Sequence, residues 1–296
     1  MSGAVETDDA EGFGRLEEAV QKAPANGEAW ARLGFAYRVA GHAELAAFAL
    51  GRATQLEPKN HLGWHYLSVS QGTLEERDAA IASARKAVEA APGWATALLN
   101  LGRRLLDAGR PREARVFLED AARRLPCSQT AAALGVALFR SEDLAGAAPW
   151  LEQSLREDPD EPVLWAYLGV CLDETGRMEP AVWALETSVL GLPDYGWAWG
   201  RLGKALRALG RHEEAVRAYE KSVEHGFAPP VLWADLGHSA AEVKDVERLK
   251  RACRELGRLD AEGAKPLRRL LRKLRAEGRA SAPRVDAHEA RAEEGR

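Results

Sequence analysis

Apolar and polar positions recur along this chain with one long beat. Trp30, Trp64, Trp165, Trp199 and Trp233 each open a similar phrase. Trp30-Ala31-Arg32-Leu33-Gly34 parallels Trp165-Ala166-Tyr167-Leu168-Gly169, Trp199-Gly200-Arg201-Leu202-Gly203 and Trp233-Ala234-Asp235-Leu236-Gly237. The intervals from Trp30 to Trp64, Trp165 to Trp199 and Trp199 to Trp233 are all 34 residues. Small residues keep time with them, at Ala46, Ala80, Ala114, Ala147, Ala181 and Ala215 and again at Ala53, Ala87, Ala121, Ser154, Ser188 and Ser222. Prolines close each phrase, at Pro24, Pro58, Pro92, Pro126, Pro159 and Pro193. Within a phrase the apolar spacing is helical: Trp165 and Leu168, three apart, share one face of a helix. The small residues permit close helix approach, and each proline ends a second helix. The pattern predicts an all-α array of antiparallel helix pairs.

This sequence resembles the tetratricopeptide repeat family, through its 34-residue period, Trp-x2-Leu-Gly phrase, mid-repeat alanine and closing proline. The resemblance implies a right-handed α-solenoid of seven hairpin repeats, with an N-terminal half repeat and a C-terminal capping helix. The repeats fall at 27–60, 61–94, 95–127, 128–161, 162–195, 196–229 and 230–263, after a half repeat at 12–26. Departures from the pattern are local. Ser68, Gln71 and Gly72 stand at atypical positions, so the first helix of 61–94 is expected to end early. Leu98 and Ala131 replace the tryptophan, and one missing residue predicts an irregularity near 127–131.

Beyond 263, Leu267, Leu270, Leu271 and Leu274 make one helical stripe, with Lys265, Arg268, Arg269, Arg272, Lys273 and Arg275 around it. This predicts a basic amphipathic capping helix over 264–279, since an array must cover its last open face. Residues 1–11 and 280–296, without apolar periodicity, read as disordered tails.

Composition narrows the function. The 296 residues carry 41 Lys+Arg against 45 Asp+Glu, a net charge of −4, which excludes a chain-wide basic surface. Cys127, Cys171 and Cys253 are too scattered for a disulfide framework or a metal site, and read as reduced thiols. With no apolar run of spanning length and an acidic N-terminus, the expected location is the cytoplasm. The Ala-, Arg- and Leu-rich composition points to a GC-rich bacterial genome.

Catalytic chemistry finds no footing. His61 and His65 share a helix face, but Leu62 stands where a zinc protease needs glutamate, so they read as one surface and one groove histidine. Gly200-Arg201-Leu202-Gly203-Lys204 lacks the spacing and the preceding strand of a phosphate loop. The expectation is a non-enzyme with no cofactor and no metal.

The family resemblance implies a concave groove lined by first-helix residues. Those positions hold Phe35 and Arg38, then His65 and Tyr66, then Leu99, Asn100 and Arg103, then Phe139. Later repeats supply Tyr167 and Asp173, then Trp197, Arg201, Lys204 and Arg207, then His238. Trp197 either lines the groove or points elsewhere on its helix. Arg201, Lys204 and Arg207 form a basic cluster that would hold a partner carboxylate, or else a solvated face. The co-chaperone carboxylate clamp is not expected, because Asn100 and Arg201 fill only single slots of its pattern.

These readings predict a non-catalytic scaffold that binds a peptide or partner helix in its groove. The chain is expected to be a monomer or one subunit of a complex, without membrane insertion. The alternative is a nucleic-acid-associated factor. Residues 244–279 hold 13 Lys/Arg against 6 Asp/Glu, which permits phosphate contact, but no aromatic residue there would stack on a base.

Overall fold

A computed structural model describes residues 3–280, with side chains from 12 to 277. It divides into two compact units, Met1–Asp160 and Glu161–Arg296, where the sequence predicts one array over 12–263. Among the described residues all regular structure is helical. In the first unit, α1 (Gly3–Lys22) precedes four hairpins: α2 (Gly27–Val39) with α3 (Ala43–Leu56), α4 (His61–Thr73) with α5 (Arg77–Ala90), α6 (Ala95–Asp107) with α7 (Pro111–Arg124), and α8 (Ser128–Arg140) with α9 (Leu144–Glu157). The second unit pairs α10 (Pro162–Glu174) with α11 (Met178–Gly191), α12 (Gly196–Ala208) with α13 (His212–Glu224), and α14 (Pro230–Glu242) with α15 (Val246–Leu259), then ends on α16 (Lys265–Ala280). This is the all-α solenoid fold class. Helix runs through 3–11, where a disordered segment is expected, and the tail expected from 280 lies outside the described residues beyond Ala280.

One turn joins every hairpin. His42 N–H donates to the Tyr37 carbonyl at 2.9 Å, and Arg110 to Leu105, Arg177 to Leu172 and Arg211 to Leu206 repeat the bond. Such a helix end needs a residue with positive φ. Glycine fills that place at Gly41, Gly109, Gly176 and Gly210, and Glu75, Glu142 and Lys244 adopt it in the other hairpins.

Each hairpin locks by size. A Cβ on Gly34, Gly135 or Gly169 would strike Leu50, Leu151 or Leu185, each sixteen residues on. Gly102 faces Leu118 and Gly203 faces Tyr219 in the same way. The second hairpin inverts the pair, with Ser68 against Ala84. Ser68 Oγ then donates to the Ala80 carbonyl at 2.7 Å, and Ser83 Oγ donates to Gln71 Oε1 at 2.7 Å. The polar residues are therefore paired across the hairpin, and α4 keeps its full length to Thr73 rather than ending early.

The one-residue deletion before α8 is absorbed by Thr130. Its hydroxyl donates to the Leu125 carbonyl at 2.7 Å and accepts from the Cys127 N–H at 3.2 Å.

In the last hairpin, the residue opposite Gly237 would be the small Cys253. Leu267 of α16 enters the gap instead and is fully buried. Leu270, Leu271 and Leu274 pack against the same core, so the helix predicted as a cap does cap the unit.

Candidate protein-interaction face

The first helices of the hairpins carry the candidate residues, and the two units present them differently. In the first unit, Phe35 and Arg38 lie one turn apart on α2, and Tyr66 faces them from α4. The Phe35 and Tyr66 rings meet at 5.0 Å, and the Arg38 guanidinium lies 5.0 Å from Phe35 and 4.8 Å from Tyr66. Phe35 remains 41% exposed. Beside them His65 packs on Tyr66 at 5.1 Å and on Trp94 at 4.9 Å, and His61 meets Trp94 at 5.1 Å. Both histidines are therefore ring-packed around one tryptophan. Burial, with the Arg38 and Arg104 charges and His61, holds His65 down to about 4, so it is neutral at pH 7.

Two cations of this unit, Arg38 and Arg104, act on His65. Among the described residues Arg38 and Arg103 make no ion pair or hydrogen bond, and Arg103 is exposed. Arg104 lies across Gly72, where a side chain would strike its guanidinium, and pairs with Asp107 at 3.2 Å. The Nε atoms of Arg38 and Arg104 and the Nδ1 of His65 are buried without partners.

Two expected groove residues are elsewhere. Leu99 is buried in the core, and Asn100 is only 6% exposed. Asn100 Nδ2 donates to Ser68 Oγ at 3.1 Å, which ties α6 to α4. Asn100 is therefore engaged inside the fold. Phe139 is half-buried on α8.

In the second unit the predicted aromatic residues do meet. Trp197 lies 5.9 Å from Tyr167 and 5.7 Å from Tyr195, and the Arg201 guanidinium sits 5.0 Å from the Trp197 ring. The basic cluster, however, is answered by acids of the same unit. Lys204 Nζ reaches Asp173 at 3.1 Å and Glu174 at 2.8 Å, and Arg207 reaches Asp235 at 3.3 Å. Burial works against the Lys204 ammonium, but its bonds to Glu174 and Asp173 prevail and hold its pKa above the usual value. Of the three cations, Lys204 and Arg207 are thus paired with three carboxylates, while Arg201 rests on the Trp197 ring. Asp173 serves as one of those counter-ions, and His238 stands exposed on α14. Glu174 directly follows Asp173 near the end of the preceding first helix, so the sequence carries both counter-ions of Lys204 side by side. Gly200 and Gly203 sit inside α12 against Ser222 and Tyr219, which is helix packing.

Among the described residues no helix is long and apolar enough to cross a membrane.

Comparison with known proteins agrees with this geometry. Tetratricopeptide repeat family models match residues 99–162, 133–196 and 196–226. Over these residues the chain carries tetratricopeptide repeats. No curated protein matches it. Among solved structures it is similar to YrrB, described as a TPR protein with an unusual peptide-binding site, with 20% identity and a TM-score of 0.54 over 61% of this chain and 94% of that one. It is similar also to pilF of Pseudomonas aeruginosa, with 21% identity and a TM-score of 0.58 over 73% of this chain and 97% of that one. The Cut9–Hcn1 hetero-tetramer of the APC/C gives 15% identity and a TM-score of 0.58 over 90% of this chain and 52% of that one. These likenesses are of fold.

Proposed function

We propose that this protein is a non-catalytic scaffold that binds a segment of a partner protein on the first-helix face of its first unit. The observation that carries this reading is the exposed Phe35 paired with the half-buried Tyr66, with a guanidinium laid on them that no acid among the described residues answers. Aromatic rings and arginine are the side chains that dominate protein-binding hot spots. The three free thiols suit a reducing cytoplasm. YrrB, of the same fold, is described as peptide-binding, which supports the same kind of use here.

The test is tagged capture from native lysate with nuclease added. Wild type is compared with a Phe35→Asp/Tyr66→Asp variant whose circular dichroism is unchanged. A partner recovered by wild type and lost by the variant is expected. Equal recovery by both would remove this face from the function.

A second reading rests on α16. Its leucine stripe is spent on the cap, while Arg268, Arg269, Arg272 and Arg275 remain exposed. Phosphate-backbone contact through that ridge would show as nuclease- and salt-sensitive recovery that ignores the Phe35/Tyr66 change.

A further inference from the structure

The same face specifies what chemistry its partner carries, and this inference rests on the binding role proposed above. Beside the Phe35–Tyr66 pair lies an open hollow of about 480 Å³, lined by Leu16, Ala31, Leu62 and the two rings themselves. Its rim charges, Glu28 and Arg32, neutralise each other at 2.6 Å. The hollow therefore accepts an apolar side chain and has no net charge to offer.

On the other side of the two rings the charge is unbalanced. Arg38 has its Nε buried without a partner, and among the described residues its terminal amines make no hydrogen bond or ion pair. Those amines face solvent with their donors unused. Arg103 is unpaired as well, and His65 is neutral and adds no charge. Asp107 is occupied by Arg104. A guanidinium packed against two rings has less rotamer freedom to lose, so a carboxylate meets a partly ordered donor fork.

The two subsites lie close together, which calls for neighbouring side chains on a ligand. Phe35 and Arg38 are three residues apart on one helix, about 4.5 Å along its axis, and the long arginine side chain extends that reach. In an extended peptide, side chains two residues apart lie on one side, about 6.5–7 Å apart. We propose that the first unit binds an extended protein segment with an apolar residue two positions from an aspartate or glutamate. The apolar side chain fills the hollow, and the carboxylate is held by Arg38.

Fluorescence anisotropy tests this with the full chain. The probe is a fluorescein-labelled, C-terminally amidated peptide holding leucine–glycine–aspartate within glycine and serine, so no terminal carboxylate competes. Replacing the aspartate by asparagine, or Arg38→Gln, is expected to weaken binding about five- to tenfold, the size of a charge-assisted bond. The two changes together should weaken it no further than either alone. Leucine replaced by serine, or Phe35→Ser, should give a comparable loss, while Arg201→Gln should change nothing. Circular dichroism of Arg38→Gln and Phe35→Ser must match wild type.

No binding at millimolar protein overturns the proposal, as does binding that ignores the aspartate. Restored binding only with a free C-terminal carboxylate would also overturn it, in favour of a terminal-carboxylate site. If a partner is captured through Phe35 and Tyr66 but Arg38→Gln leaves it unaffected, the scaffold role stands and the apolar–acidic ligand class fails.

Discussion

Trp199 Nε1 donates to the carbonyl of Pro193 at 2.8 Å, across the entry to α12. Trp30 bonds Pro24 and Trp64 bonds Pro58 in the same way, both at 2.9 Å. The two periodic series in the sequence are thus one device. The proline stops a second helix, and the tryptophan six residues later fastens that stop to the next first helix.

Trp199→Phe separates the bond from the ring. The aromatic body stays in place while the donor is lost, so stability should fall by about 1 kcal/mol, the net worth of one such bond. Chemical denaturation of wild type and variant checks this, with the fall expected in the second unit. A loss above about 3 kcal/mol would mean that packing, rather than the bond, carries the position.

The hairpin lock makes a paired prediction. Gly102→Ser drives a side chain into Leu118 and should cost about 1–3 kcal/mol. Gly102→Ser with Leu118→Ala recreates the Ser68–Ala84 arrangement of the second hairpin. The double variant should be more stable than the sum of its parts predicts, with a coupling of at least about 1 kcal/mol by denaturant midpoints. Simple additivity would refute the size-complementary reading.

Most of the fold was legible because its determinants are local and repeat. Trp, Gly, Ala and Pro at fixed offsets dictate helix, approach and stop, so hairpins and cap could be read from periodicity. The candidate face was less legible because groove position is not the same as freedom. Asn100 occupies a groove slot, yet it bonds the serine at 68 inside the fold. Lys204 and Arg207 read as open charge in sequence, but their counter-ions come from neighbouring repeats: Asp173 and Glu174 for Lys204, Asp235 for Arg207. The substitution of Leu267 for a side chain that Cys253 is too small to provide involves a contact across two helices, and no spacing rule announces it. Arg38, by contrast, was named from its position, and only the structure shows that nothing answers its charge.

His65 predicts a pH dependence. Its pKa is lowered to about 4 by burial first, then by Arg38, Arg104 and His61, while an unfolded histidine titrates near 6.5. Below the unfolded value the unfolded chain takes up a proton that the folded chain refuses. Stability tied to this group is therefore full above pH 6.5 and lost as the pH falls toward 4. His65→Gln should lose less stability than wild type between pH 7 and pH 5, measured by thermal melts across that range. Equal slopes for the two proteins would show that His65 titrates normally in the folded state. A carboxylate bound at Arg38 should raise the His65 pKa, which its ring proton shifts report by NMR.

The most direct test of the central claim is site-specific photocrosslinking in native lysate. A photoreactive phenylalanine analogue is placed at Phe35 on the first-helix face, or at the exposed Val116 on α7. The account predicts a discrete protein adduct from position 35, abolished by Tyr66→Asp, and none from position 116. An adduct formed from position 116 but not from position 35 would contradict it and move the binding surface to the second helices.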